Sequence, residues 1–210
     1  MACFITFEGI EGCGKTTQLQ LLSRRLEAEG HKVTVTREPG GCPIADQIRS
    51  ILLDADNRAL TPLTELLLYA AARAQHVSEV VAPALATGGI VLCDRFTDAT
   101  IAYQGYGRQL DLAVISQLNH LATAGIRPEL TVLLDCPADI GLKRAIARIN
   151  SAQGAREERF ELESLRFHQE VRNGYLQLAR QEPKRFVIID GTASIGETEV
   201  AIAAAILPRL

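Results

Sequence analysis

The stretch Gly9-Ile10-Glu11-Gly12-Cys13-Gly14-Lys15-Thr16 decides the fold of this chain, because it fits the phosphate-binding pattern G-x-x-x-x-G-K-[ST]. Glycines let successive backbone N–H groups converge on an anion with no Cβ in the way. Lys15 then puts a positive charge on the outer phosphates of a nucleoside triphosphate, and the Thr16 hydroxyl can join a Mg²⁺ shell. The stretch therefore predicts a phosphate-binding loop, with Thr17 directly behind it.

The residues on either side of this loop fit the same interpretation. Residues 3–7 (CFITF) are typical of a buried strand, and Leu19, Leu22 and Leu26 recur at helical spacing up to Gly30. A strand, a glycine loop and a helix in this order aim the helix N-terminus at the phosphates. The context makes a chance glycine-rich turn the weaker alternative.

Composition predicts one globular domain over residues 1–210. Charged residues make up 22% and hydrophobic residues 47% of the chain, and the net charge is −3. A general nucleic-acid or membrane-surface binder needs a basic field, so we expect neither kind of partner. The N-terminus lacks the features of a signal peptide, and no run of 18 uncharged apolar residues occurs. We expect a cytoplasmic protein.

The cysteines and histidines indicate no metal site built from protein residues alone. The five cysteines form no C-x-x-C pair, and we interpret them as small buried hydrophobes in a reducing compartment. The four histidines are scattered without ligand spacing.

Strand-like and helical patterns alternate along the chain. Apolar runs at 32–36, 90–94, 130–135 and 185–190 predict four more strands. In the segments between them, apolar residues recur at helical spacing. This alternation is typical of a parallel sheet covered on both faces, with ligands at the carboxyl ends of the strands. The fold class expected is therefore α/β, with three α/β/α layers around a five-stranded parallel sheet.

Acidic residues end several of these runs. Asp94 is followed by Arg95, and a phosphate site needs a metal ligand and a cation together. We therefore favour Asp94 as the acid that holds Mg²⁺ or its waters. Asp135 ends a similar run, but for it we favour a structural role near the start of the following helix.

A phosphate loop alone fits a GTPase switch, a motor or partition ATPase, or a small-molecule kinase. The chain has neither the D-x-x-G nor the N-K-x-D motif of GTPases, and no feature identifies the partner surface of a motor. A kinase needs a second anionic site and a lid that excludes water. Arg49, Arg73 and Arg95 are candidates for that site, and residues 150–159 are a polar lid candidate.

The chain resembles the bacterial thymidylate kinases over nearly its full length. The phosphate-loop motif is generic, whereas R-E-P-G-G and D-R-F with its downstream Tyr-Gln are specific to that family. The segments that carry the resemblance are 7–17 (FEGIEGCGKTT), 37–41 (REPGG), 68–73 (LYAAAR), 94–100 (DRFTDAT), 102–105 (AYQG), 133–135 (LLD) and 141–145 (GLKRA).

The resemblance implies a P-loop NTPase fold and Mg²⁺-dependent transfer of the ATP γ-phosphate to dTMP. It implies that Glu11 contacts the acceptor's 3′-hydroxyl, that Tyr69 stacks on thymine and that Arg144 lies against adenine. Arg73 would bond the thymine carbonyl, Thr100 and Gln104 would read the base edge, and Arg49 and Arg95 would hold the dTMP phosphate. The full implied dTMP site is Glu11, Glu38, Pro39, Arg49, Tyr69, Arg73, Arg95, Thr100, Tyr103 and Gln104.

The resemblance also implies where the remaining catalytic charge comes from. Some relatives carry a basic residue within the phosphate loop, whereas Ile10, Glu11 and Cys13 fill the variable positions here. Lid arginines would then act with Lys15 and Arg95, and we expect Arg159 first and Arg156 second. A homodimer packed through helices is a further implication.

Overall fold

A parallel sheet forms the centre of the protein in the computed structural model, which describes residues 2–151 and 159–210. Its strands, in spatial order β2-β3-β1-β4-β5, are all parallel to their neighbours. The predicted five-stranded parallel sheet is therefore confirmed. The strands are β1 (Cys3–Glu8), β2 (Val33–Arg37), β3 (Ile90–Asp94), β4 (Leu130–Asp135) and β5 (Phe186–Asp190).

Helices cover both faces of the sheet. Successive side chains of a strand point to opposite faces. Accordingly, Ile5 joins a cluster that includes Leu19 of the first helix, whereas Phe4 packs with Val81 and Phe96 in a separate cluster. This arrangement is the three-layer α/β/α architecture that the sequence predicted.

The helices follow the strands in the order expected for parallel crossovers. Among the described residues, no helix has both the length and the apolar character needed to cross a membrane. The α-helices are α1 (Lys15–Ala28), α2 (Pro43–Leu53), α3 (Pro62–His76), α4 (Ala82–Ala86), α5 (Thr97–Thr100), α6 (Leu112–Thr123), α7 (Ala138–Ser151), α8 (Leu165–Gln181) and α9 (Ile195–Ile206).

Two π-helical segments interrupt the helical regions next to the sheet. One continuous helical path is made of α3, a π-helical segment at Val77–Val81, and α4. A second π-helical segment, Ile101–Gly107, continues α5 and carries the Tyr-Gln pair of the D-R-F region. Such segments are rare and occur often at functional sites.

The carboxyl ends of β1, β2 and β3 bring the sequence motifs to one edge of the sheet. Phe7 pairs with Asp94, and Asp94 pairs with Arg37, so the phosphate loop, R-E-P-G-G and D-R-F begin at the same level. Arg95 has a positive φ of 72°, a left-handed conformation that is uncommon outside glycine. Strained positions of this kind cluster at functional sites.

Candidate active site

A cleft of about 1020 Å³ opens at this edge of the sheet. It is continuous from Gly12, Lys15 and Thr16 of the phosphate loop to Thr100 and Gln104 behind β3. All ten residues that the resemblance assigned to the acceptor line this one cleft, namely Glu11, Glu38, Pro39, Arg49, Tyr69, Arg73, Arg95, Thr100, Tyr103 and Gln104.

The phosphate loop closes tightly around Lys15, whose side chain is only 7% exposed. Its Nζ donates to the carbonyl oxygens of Gly9 at 3.0 Å and Ile10 at 2.7 Å, and lies 3.5 Å from Cys13 Sγ. A Cβ on Gly9 would lie 2.5 Å from the carbonyl oxygen of Leu134, and one on Gly12 would collide with that of Gly141. The backbone therefore requires glycine at both positions.

Thr16 and Asp94 meet at the mouth of the loop. The Thr16 hydroxyl donates to Asp94 Oδ2 at 2.7 Å, although the two residues are 78 positions apart. A hydroxyl and a carboxylate supply the hard oxygen atoms that Mg²⁺ prefers, and Mg²⁺ usually takes only one or two protein ligands beside phosphates and water. These two residues therefore fit a magnesium ion.

Glu11 and Arg95 form an ion pair on the floor of the cleft. Arg95 Nη2 lies 3.1 Å from Glu11 Oε1, and the Tyr103 hydroxyl donates to the same oxygen at 2.5 Å. Burial alone would raise the pKa of Glu11, but Arg95, His168 and Lys15 together hold this pKa well below its usual range. Glu11 therefore presents a carboxylate to the cleft.

Helix α8 supports this pair from behind, through residues that sequence reasoning missed. The Tyr175 hydroxyl accepts from Arg95 Nη1 at 3.1 Å and donates to Glu8 Oε2 at 2.8 Å. His168 Nδ1 lies 3.1 Å from Glu11 Oε2. The helical spacing of His168 and Tyr175 places them on one face of α8, but no sequence pattern indicated that this face meets the phosphate loop.

Arg73 is buried behind the cleft, with 2% of its surface exposed. Its Nε donates to Glu38 Oε2 at 2.7 Å and its Nη1 to Asn119 Oδ1 at 2.6 Å. Its Nη2 donates to Phe96 O at 3.1 Å and Thr100 Oγ1 at 2.9 Å. Four of its five N–H groups thus hold the cleft wall, and the bond to a thymine carbonyl that the resemblance implies for Arg73 stays a prediction.

Arg159, expected to be the first lid arginine, occupies a buried structural position. Its Nη1 lies 2.7 Å from Glu65 Oε2, its Nε donates to the Leu52 carbonyl, and it is 9% exposed. The structure does not place it among the residues that line the cleft, because the Glu65 carboxylate binds its guanidinium, and its expected catalytic role stays a prediction. Arg156 lies outside the described residues, as does most of the predicted lid.

The structure also defines the positions of Arg148, Arg144 and Asp135. Arg148, near the end of α7, lines the cleft with Asn150. Arg144 donates to the Gly191 carbonyl at 2.7 Å, beside the loop after β5. Asp135 forms a two-pronged pair with Arg172 at 2.7 and 2.8 Å rather than acting at the start of α7. The carboxylate of Asp135 is therefore bound by a residue of α8.

Comparison with known proteins agrees with this geometry. The family model described as "Thymidylate kinase" matches residues 7–202. Thymidylate kinase from Geotalea uraniireducens is 72% identical over 210 residues, covering 100% of this chain and 99% of the relative, and that from Geotalea daltonii is 69% identical over 211 residues with the same coverage. A crystal structure of thymidylate kinase from Ehrlichia chaffeensis superimposes with a TM-score of 0.78 at 33% identity, covering 98% of each chain. The chain belongs to the thymidylate kinase family.

Proposed function

We propose that this protein transfers the γ-phosphate of ATP to dTMP, giving dTDP and ADP, and so serves dTTP synthesis. The observation that carries the proposal is the single cleft that joins the phosphate loop to an arginine-lined and aromatic-lined pocket. A switch or a motor ATPase needs a phosphate loop but no second small-molecule pocket facing it. A nucleoside monophosphate kinase needs both, since donor and acceptor must lie in line.

The donor side is the phosphate loop at the start of α1. Backbone N–H groups of residues 9–17 and the α1 N-terminus receive the β- and γ-phosphates, with Lys15 as the point charge. Thr16 and Asp94 would hold Mg²⁺, which neutralises charge on the phosphates when it is bound. Arg144, bonded to the loop after β5, is proposed to lie against adenine.

The acceptor phosphate is the nucleophile and requires no general base, because it is already an anion at neutral pH. Its approach to the donor is opposed by charge repulsion, which positioned cations offset. Arg95 is held by Gly9 O, Tyr175 and Glu11, so its guanidinium is fixed before substrate arrives. Arg49, which also lines the cleft, donates to Pro39 O at 2.9 Å. We assign the acceptor phosphate to these two arginines.

The sugar and base are assigned to the inner half of the cleft. Glu11, held as a carboxylate, accepts the 3′-hydroxyl, and Tyr69 offers its ring to the base. The remaining Arg73 N–H, Thr100 and Gln104 form the polar wall that reads the base edge. Burial keeps Tyr103 protonated by raising its pKa, so it stays a donor to Glu11.

Arg148 replaces Arg159 in our proposal for the charge that closes the site. It lines the cleft and lies 3.6 Å from Glu161 Oε1, with a side chain that is 65% exposed. The exposed side chain of Arg148 could reach a phosphate in the cleft. Arg156 remains a proposed second cation.

We further propose a cytoplasmic homodimer whose partners are the small molecules ATP and dTMP. All five cysteines are buried thiols, which suits a reducing compartment. Exposed apolar residues on the packed helices α2, α3 and α6 support the dimer.

The proposal is tested by measuring ADP release with dTMP, dUMP, dCMP, dGMP and AMP as acceptors. We expect release to depend on the acceptor, with dTMP used best. Some turnover of dUMP is expected, because one methyl group in a pocket is worth only about 1–3 kcal/mol. ADP release at the same rate without any monophosphate would instead indicate a switch or motor ATPase.

A further inference from the structure

Gln104 is fixed by a carboxylate that lies behind it. Gln104 is 1% exposed and its Nε2 donates to Glu65 Oε1 at 2.8 Å. Glu65 is on α3, is itself 1% exposed, and does not line the cleft. Because the nitrogen end of the planar amide is bound to Glu65, the carbonyl oxygen is the end left for a ligand in the cleft.

Two arginines keep the Glu65 carboxylate a pure acceptor. Arg108 Nε lies 3.3 Å from Oε1 and its Nη2 lies 3.3 Å from Oε2, and Arg159 Nη1 lies 2.7 Å from Oε2. A carboxylate accepts hydrogen bonds and donates none. If the Gln104 amide turned over, its carbonyl oxygen would face a carboxylate oxygen in a buried site, which costs an unmade hydrogen bond and adds repulsion.

We infer that Glu65 is a specificity-determining positioning residue, which fixes the Gln104 amide so that an acceptor faces the base. This inference rests on the proposed function, in which a pyrimidine monophosphate occupies the cleft. Thymine presents an N3–H donor at its edge, whereas cytosine presents a bare N3 acceptor. An amide oxygen held in place therefore bonds thymine and repels cytosine.

Thr100, which also lines the cleft, offers a hydrogen-bond donor where Gln104 offers an acceptor. Its Oγ1 accepts from Arg73 Nη2 at 2.9 Å, so the hydroxyl hydrogen is the part left to donate into the cleft. A donor next to an acceptor matches the O4 and N3–H of thymine. The same pair is mismatched twice against the amino group and N3 of cytosine.

The test is the ratio of kcat/KM for dTMP to kcat/KM for dCMP in wild type, Glu65→Gln, Gln104→Met and the double variant. In Glu65→Gln the neighbouring amide can donate as well as accept, so the Gln104 amide is released to turn. We expect the ratio to fall by about tenfold or more, the effect of one buried hydrogen bond left unmade. The double variant should have the ratio of Gln104→Met alone, because Glu65 acts through Gln104.

Arg108→Met is the matched control, since it removes a Glu65 contact and leaves the Gln104 contact in place. It should lower Tm and leave the ratio unchanged. An unchanged ratio in Glu65→Gln, or equal losses on both substrates, would overturn the inference. If Glu65→Gln does not fold, Glu65→Asp is measured in its place. This variant keeps the charge but moves the carboxylate away from Gln104, and the same fall in the ratio is expected. A wild type that does not prefer dTMP would instead defeat the proposed function itself.

Discussion

Lys15 has a structural role in the loop besides the role toward phosphates that we propose for it. Its ammonium group donates hydrogen bonds to the Gly9 and Ile10 carbonyl oxygens, and the Lys15 side chain is buried. The sequence indicated only the charge toward the phosphates, because the pattern records residue types and not the path of the loop. The geometry adds a structural part, so a change at Lys15 should be read through both activity and stability.

We expect Lys15→Ala to lower kcat by at least roughly 10²-fold, the usual effect of removing one preorganised charge-stabilising group. Removing the contacts to two carbonyl oxygens should also lower Tm modestly. Steady-state kinetics and thermal unfolding of the purified variant check both points. A folded variant with near-normal kcat would show that the loop is not the donor site.

We expect Arg159 to act mainly on stability and Arg148 mainly on catalysis. Arg159→Met removes one partner of a buried ion pair, which typically costs about 3–5 kcal/mol, and the remaining Arg108 contact with Glu65 should keep the loss near the lower end. Arg148→Met, the same substitution on an exposed side chain, should leave stability unchanged and lower kcat more than it raises KM for ATP.

Urea unfolding and steady-state kinetics of the two variants separate these effects. If Arg159→Met is as stable as wild type but has lost kcat, Arg159 is the catalytic lid residue after all. If Arg148→Met behaves as wild type in both measurements, the closing charge comes from another residue.

At the scale of the element, Glu8 at the end of β1 has a buried carboxyl group that accepts a hydrogen bond from Tyr175 of α8. Burial raises the pKa of Glu8 from 4.5 to about 8, helped by the Asp98 carboxylate and opposed by Arg95, Tyr175 and the Phe96 N–H. Between these two values the native state binds one proton more than the unfolded state does. The contribution of Glu8 to stability is therefore present below pH 4.5 and is lost as pH rises through about 8.

Glu8→Gln replaces this carboxyl with a group that does not titrate. The free energy of unfolding of wild type, relative to that of the variant, should fall as pH rises from 4.5 to about 8 and should level off above that. Urea unfolding of both proteins across this range measures the difference. A difference that is flat, or that grows with pH, would contradict the pKa assigned to Glu8.

The sequence predicted contiguous motifs well but did not predict contacts between distant parts of the chain. The phosphate loop and the D-R-F segment were found because their chemistry is contiguous, and Asp94 was favoured as a metal ligand because Arg95 follows it. The Arg159–Glu65 pair and the Tyr175–Arg95 contact join distant parts of the chain, and neither has a local pattern. Arg159 was therefore assigned from its position after the lid, although a buried partner decides where it lies.

At the scale of the whole molecule, α2, α3 and α6 pack side by side and leave large apolar side chains exposed. Leu63 is 55% and Leu67 49% exposed on α3, and Leu121 is 78% exposed on α6. Apolar residues of the same helix differ in exposure, since Ile115 and Ala122 of α6 are buried. This surface is our proposed dimer interface.

Leu67→Glu should convert a dimer to a monomer, because a charge at the centre of an apolar interface loses its hydration. Light scattering coupled to size-exclusion chromatography gives the mass directly. Val200→Glu on α9, where the apolar side chain is 67% exposed, is the matched control and should leave the mass unchanged. A monomeric wild type, or equal effects of both variants, would argue against this interface.

The central claim is that one cleft brings the ATP γ-phosphate to the phosphate of dTMP, and following the labelled phosphoryl group tests it most directly. The wild-type protein is incubated with γ-³²P-labelled ATP, Mg²⁺ and dTMP, and the products are separated by thin-layer chromatography. We predict that the label appears in dTDP and that little is released as inorganic phosphate. Label released as inorganic phosphate at the same rate with or without dTMP would contradict the account.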